Sequence, residues 1–307
     1  MNNTQLWLLG HRYPTWLGRA LADPGLRLQA DQQAAGEAPK YEMVGGSAVV
    51  SILGPLAKGR WVEFWGGTSA EVVRSQVVAA TVDKRVHGIF LRVDSPGGEV
   101  AGVEELANAI HAAAKVKPVH VHAEDLMASA ALWAGTQGSR LTANATAEVG
   151  SIGTVAVVWD TSKLAEDAGI QVHVVSTAPL KGSFVDGAPI SEEALEELQR
   201  RVNDLNGHFL KAITRGRGLR GADLTRIADG RVYGAAQAKR LGLIDEVQGR
   251  DEAFGALGEL VSASEAKRAL RRGKRRAAEL KPEGDDLAQR RTAVLARFQK
   301  LRAALGK

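Results

Sequence analysis

Two rhythms of apolar residues alternate along this chain. Near-continuous runs rich in Val and Ile lie at Val44–Leu53, Val86–Val93, Val119–Ala123, Val149–Val158 and Ile170–Ser176, and each predicts a strand covered on both faces. Between them the apolar positions step by three and four. Val72, Val73, Gln76, Val77 and Ala80 follow a Thr68-x-x-Glu71 capping pattern, and Val100, Val103, Ala107, Ile110 and Ala114 follow a glycine turn. Asp160–Ala168, closed by Gly169, predicts a further helix. A long one starts at Ser191, with Leu195, Leu198, Val202, Leu205 and Phe209 along one face, and fades at Arg215–Gly218. A last small unit runs from Ile227 to Val247. The repeat of strand, turn and helix predicts an α/β fold built on a mostly parallel sheet.

The flanks read differently. Residues 1–40 mix aromatic positions (Trp7, Tyr13, Trp16) with a polar stretch ending near Pro39, the pattern of an arm and linker. Residues 41–255 form the expected domain. Residues 256–307 form a basic tail, helical or disordered, broken at Pro282-Glu283-Gly284. From Ser262 onward 14 Lys and Arg face 5 Asp and Glu, a net +9, which leaves −4 for the rest of a chain whose total is +5. With Phe298 as its one aromatic residue, the tail gives no sign of nucleic-acid recognition. The 307 residues contain no cysteine, which excludes disulfides, thiolate metal sites and a cysteine nucleophile. No apolar run approaches the roughly 20 residues needed to span a bilayer, and Leu6–Leu9 is shorter than a secretory core, so a cytoplasmic location without membrane contact is expected.

Candidate chemistry gathers at four places. Ser129, in Met127-Ala128-Ser129-Ala130, lies where a strand gives way to helix-forming sequence, a place where a hydroxyl can project beside free backbone N–H groups. Asp94-Ser95-Pro96-Gly97-Gly98 is a strand-to-helix turn whose paired glycines allow close backbone approach. An N–H of Gly97 or Gly98 together with that of Ala130 would form an oxyanion hole, in which each donor is worth about 10²–10³ in rate. Ser151 opens a strand in Gly150-Ser151-Ile152-Gly153, and Lys181 lies in the polar loop Thr177–Ser183. A lysine works as a general base only where burial brings its pKa from about 10.4 toward 7–8. Ser151 could hold such an amine against Ser129, as the third member of a nucleophile–base pair. His120 and His122 point to one face of a strand, as a metal pair would, but no third ligand follows at matching spacing, so a structural role is expected.

These four segments, in this order, resemble the signal peptide peptidase A family of Ser-Lys serine peptidases, which includes the phage capsid assembly (head maturation) proteases. The resemblance extends from about Val44 to Val247, with the Gly230–Gly234 and Leu241–Asp245 segments. It implies a Clp-protease/crotonase-like spiral of strand-strand-helix units, assembled as a homo-oligomer and needing no cofactor or metal. It also implies Ser129 as nucleophile, Lys181 as general base and Ser151 as the serine that positions the lysine. The step of 52 residues from Ser129 to Lys181 fits members whose dyad lies within one domain. Two departures shape the expectation. The cellular enzymes place Gly-Gly and aromatic residues after the serine, where this chain has Ala130-Ala131-Leu132-Trp133, and they carry a membrane anchor that is not seen here. The phage type is therefore expected, acting on scaffold, portal or its own tail inside the assembling procapsid, with the tail as a scaffold-like segment. Three other readings are a cellular-type signal peptide peptidase without an anchor, a crotonase-type acyl-CoA enzyme using Glu99, Glu124 or Asp125, and an inactive assembly scaffold.

Overall fold

The computed structural model describes residues 6–9, 41–279, 292–297 and 299. They fall into two compact units divided between Phe254 and Gly255. The first holds β1 (Leu6–Leu9), β2 (Glu42–Val44), β3 (Ser47–Leu53), β4 (Leu56–Ala57), a 3₁₀ turn (Arg60–Trp65) and β5 (Thr68–Ser69). Then come α1 (Ala70–Val82), β6 (Gly88–Ser95), β7 (Gly97–Glu99), α2 (Val103–Val116), β8 (Val119–Ala128), α3 (Ala130–Gly135), β9 (Arg140–Ala143), β10 (Glu148–Gly150) and β11 (Val155–Ala156). The remaining elements are α4 (Ser162–Asp167), α5 (Glu192–Arg217), α6 (Gly221–Ile227), β12 (Val232–Gly234), α7 (Ala235–Arg240), β13 (Glu246–Val247) and α8 (Arg250–Glu279).

Two sheets organise the first unit. The larger runs β12-β10-β8-β6-β3-β2, with β9 and β13 joined through β8. Its central pairs β3–β6, β6–β8 and β8–β10 are parallel, as uninterrupted Val/Ile runs require when helices cover the sheet. The smaller runs β11-β1-β7-β4-β5. Each long strand thus continues into a short one of the second sheet before its helix, β3–β4 then α1, and β6–β7 then α2. These are the strand-strand-helix units expected of the spiral. The α1, α2 and α3 side chains Val73, Val77, Leu106, Ile110 and Leu132 are buried in one core with Ile89, Leu91 and Val121 of the sheet.

Several elements differ from the apolar pattern, each for a local reason. The cap of α1 is Ser69, whose Oγ accepts from Val72 N at 3.3 Å. Thr68 instead ties down β3, accepting from Leu53 N and donating to Leu53 O at 2.8 and 2.6 Å. The run Val149–Val158 is two short strands, because the backbone turns to positive φ at Ser151. Ile170–Ser176 is not a strand: the segment finds no sheet partner, and Ile170 and Val175 lie exposed. On α5 the buried stripe is Ala194, Leu198, Phe209, Ala212 and Ile213, while Leu195 is exposed. The helix stops at Gly218, at φ 74, as the Arg-Gly repeat indicates. In the second unit α8 continues as helix through the basic stretch to Glu279, whereas the break at Pro282–Gly284 and most of the 1–40 arm lie outside the described residues.

Phe209 anchors α5 to the core. Its ring is fully buried and stacks on Trp133 of α3 at 5.1 Å and 9°. Truncation there leaves an aromatic-sized cavity, so Phe209→Ala is expected to cost about 3–5 kcal/mol, read as a shift in the denaturant midpoint.

Candidate active site

Strand β8 delivers Ser129. Along β6 the register runs Val93 opposite Ala123 and then Ser95 opposite Met127, so β8 spends four residues where β6 spends two. The bulge falls at Glu124-Asp125, and it re-aims the strand end as bulges do. Glu124 is fixed there by Arg92, at 3.1 and 2.8 Å. Past Ala128 the chain reverses into α3 through Ser129, whose φ of 54° and ψ of −120° are rare for an L-residue. Ser129 N donates to Gly150 O at 2.8 Å, which clamps the turn against the end of β10. The residue is 1% exposed and its Oγ has no hydrogen-bond partner. A buried unpaired hydroxyl on a strained turn is held for a reason other than stability.

Two of the other sequence candidates meet it. Ser151 follows Gly150 and is itself at φ 55° and buried, its N–H donating to Arg231 O at 2.7 Å. Gly150 permits this approach, since a Cβ there would lie 2.5 Å from Arg231 O. Gly97 and Gly98 open β7 two residues beyond Ser95, the β6 partner of Met127. Gly98 packs so tightly on β4 that a Cβ would sit 1.7 Å from Leu56 O. Ser95, which the apolar pattern did not single out for chemistry, sets this turn. Its buried Oγ donates to Gly54 O at 2.6 Å and accepts from Gly97 N at 3.2 Å. The Gly97 N–H is thereby engaged. As the first residue of α3, Ala130 has no intrahelical acceptor for its own N–H.

Lys181 is not brought to this cluster within the single chain. It sits exposed in a turn, its N–H donating to Ala178 O at 3.0 Å. None of the carboxylates of the alternative acyl-CoA reading hydrogen-bonds the Ser129 hydroxyl. Glu124 is held by Arg92, Glu99 accepts from Lys58 N at 3.3 Å, and Asp125 is exposed beside Arg250 and Asn144 in a surface groove.

His120 and His122 are fully buried on one face of β8, both at 2.9 Å from Thr142 Oγ1, and His122 Nε2 lies 3.2 Å from Asn144 Oδ1. Among the described residues no cluster of three metal-ligating side chains surrounds them. Burial, reinforced by Arg140 and His122, lowers His120 to about 4, and burial lowers His122 also. Between the ordinary value of about 6.5 and about 4 the unfolded chain binds a proton that the folded chain refuses. Stability therefore falls as pH drops through that window, by on the order of 3 kcal/mol for His120 alone. Denaturation series from pH 7 to 4.5 should show this slope, and His120→Gln should flatten it. The Ser129 turn makes a second prediction. Replacing Ser129 with glycine removes both the positive-φ strain and the unpaired hydroxyl, so Ser129→Gly is expected to raise stability by about 1–3 kcal/mol in guanidinium unfolding, where substitution at an ordinary buried serine would not.

Residues 111–264, half of the chain, match the family described as Peptidase family S49. This stretch contains Ser129, Ser151 and Lys181. The chain is 34% identical over 182 residues to a putative protease of Methanocaldococcus jannaschii, covering 59% of this chain and 58% of that one. It is 27% identical over 247 residues to capsid assembly protease C of Escherichia phage lambda, covering 79% and 55%. With Protease 4 of Salmonella typhi it shares 29% identity over 214 residues, covering 69% and 34%. The chain spans about half the length of the first two of these relatives and a third of the last. The strained serine and the Gly-Ser strand end thus lie within the half of the chain that matches one family, and the chain belongs to peptidase family S49.

Proposed function

We propose that this protein is a serine endopeptidase in which Ser129 is the nucleophile and Lys181 the general base. The observation that carries the reading is the Ser129 hydroxyl, buried and unpartnered on a turn of positive φ. In the first step Ser129 Oγ attacks a peptide carbonyl and its proton passes to the neutral Lys181 amine. The oxyanion is held by the N–H groups of Ala130 and Gly98, Gly98 taking this part because the Gly97 N–H is engaged by Ser95. Collapse breaks the C–N bond, the lysine returns the proton to the leaving amine, and water hydrolyses the ester by the same route. In this reading Ser151, one residue past the carbonyl that clamps Ser129, orients the amine.

For Lys181 to be neutral it must lose its contact with water. A second copy of the chain is the group suited to remove it. In the stretch that leads to the lysine-bearing turn, Val157, Trp159, Leu164, Ile170 and Val175 are all exposed, with Val175 at 96%. Apolar surface of this kind marks an association face. In the proposed homo-oligomer that face is covered and the lysine loop is pressed toward a serine. The substrates are proteins of an assembling phage head, namely scaffold, portal or the chain's own tail, in the host cytoplasm. This rests on the likeness to the lambda protease along most of the chain and on the basic C-terminal segment.

Lys181→Met is expected to lower the hydrolysis of an unfolded protein substrate by about 10²–10⁴-fold without changing the sedimentation of the assembly. Val175→Asp should lower both activity and assembly together. Full hydrolysis by Lys181→Met would remove the lysine from the mechanism.

A further inference from the structure

The smaller sheet contains a segment that no part of the peptidase reading uses. Strand β1 lies between β7 and β11, antiparallel to both. Leu9, Leu8 and Trp7 pair with Gly97, Gly98 and Glu99, while Trp7 and Leu6 pair with Val155 and Ala156. Its two neighbours are 56 residues apart at their nearest and, among the described residues, join through no other strand, since β11 has no other sheet partner in the strand order. The gap between them is therefore a slot one strand wide, with backbone groups presented from both sides.

That slot opens at Ser129. On one side β7 begins with Gly97 and Gly98, directly after Ser95, which pairs with Met127 two residues before the nucleophile. On the other, β11 begins four residues past Ser151, next to the Gly150 carbonyl that clamps Ser129. A chain added between two strand edges gains main-chain hydrogen bonds on both sides whatever its sequence. An extended substrate reaching Ser129 with its carbonyl near the Gly98 and Ala130 N–H groups must run along β7. The backbone of residues 6–9 already fills that course, with Leu8 opposite Gly98.

We infer that residues 6–9 are an intramolecular occupant of the peptide-binding slot, so that substrate must displace the chain's own N-terminal strand before Ser129 can act. The inference rests on the peptidase reading for its consequence, though the pairing stands apart from it. Being tethered, the strand competes at a high effective concentration that does not fall on dilution. The apparent affinity for substrate is then reduced by the fraction of chains whose slot is open. The effect belongs in KM rather than kcat, because a chain with the strand displaced has an unaltered site.

The test uses the full chain with Leu8→Pro, since a proline inside a paired strand removes a ladder hydrogen bond. In a Ser129→Ala background, which prevents self-cleavage, amide exchange at Gly98 and Val155 should speed up at least tenfold with Leu8→Pro, while exchange in β8 stays unchanged and reports an intact fold. In the active chain, with residues 1–9 verified as attached by intact mass, Leu8→Pro should lower the KM for a peptide substrate about tenfold at constant kcat. Equal exchange rates overturn the inference even if no version of the protein hydrolyses anything, the outcome that would sink the peptidase reading instead. Equal KM values in a chain that does hydrolyse peptide also overturn it. Trp7→Pro, one position along the same strand, repeats both measurements should Leu8→Pro fail to fold.

Discussion

A single backbone turn governs the rest of this molecule. At Ser129 a strand paired on both edges must become a helix within one residue, and it does so at φ 54°. Few L-residues tolerate such a conformation, and it persists because its surroundings leave no alternative. Behind it, Leu126–Ala128 are hydrogen-bonded between β6 and β10. Ahead of it, all six residues of α3 are buried. From the side, the Gly150 carbonyl holds its N–H. The core therefore carries the strain, and what it supports is a hydroxyl desolvated yet unpaired.

The same economy explains the small sheet. Gly98 lies against β4 with no room for any side chain, and Ser95 bridges the start of β7 to Gly54 on the turn between β3 and β4. These contacts fix the direction of the β7 backbone relative to the end of β8. Both lie on fully buried segments, so neither can shift without opening the core. On the proposed reading, a rigid track beside a rigid nucleophile is what alignment of an extended chain with a reacting atom requires.

Much of this was legible in the residues. The Val/Ile runs gave β3, β6 and the first half of β8, whereas Asp94-Ser95-Pro96-Gly97-Gly98 read as a turn straight into a helix and hid β7, which Gly97–Glu99 form before α2 begins at Val103. Glu124-Asp125 hid the second half of β8, because polarity reads as a strand end, whereas here one carboxylate is matched by Arg92 across the sheet. Ile170–Ser176 misled in the opposite sense. Its Val/Ile content is that of a strand, yet it pairs with none of the described strands, and apolar content alone does not distinguish sheet from a surface awaiting a partner. The pairing of β1 with β7 could not be read at all. Four apolar residues carry no register information, and their partners lie some 90 positions away.

On the proposed reading the site is divided between regions of opposite character, and the division has a consequence for control. Ser129, Ser151, Gly98 and Ala130 sit on buried segments of one core and need no help to keep their places. Lys181 sits on a lobe whose large apolar side chains face water, and that lobe is favourable in energy only when something covers it. On the proposed reading, the machinery that binds the oxyanion is built at folding and the base is supplied at assembly. Proton transfer, without which the serine is inert, then depends on the concentration of the protein in the way that association does. A protease made among the structural proteins it is to cut would gain from that dependence, because isolated subunits cannot cleave them before they gather. Occupation of the slot by residues 6–9 acts at a different point, on substrate access, so the two restraints are independent and their effects on the rate multiply.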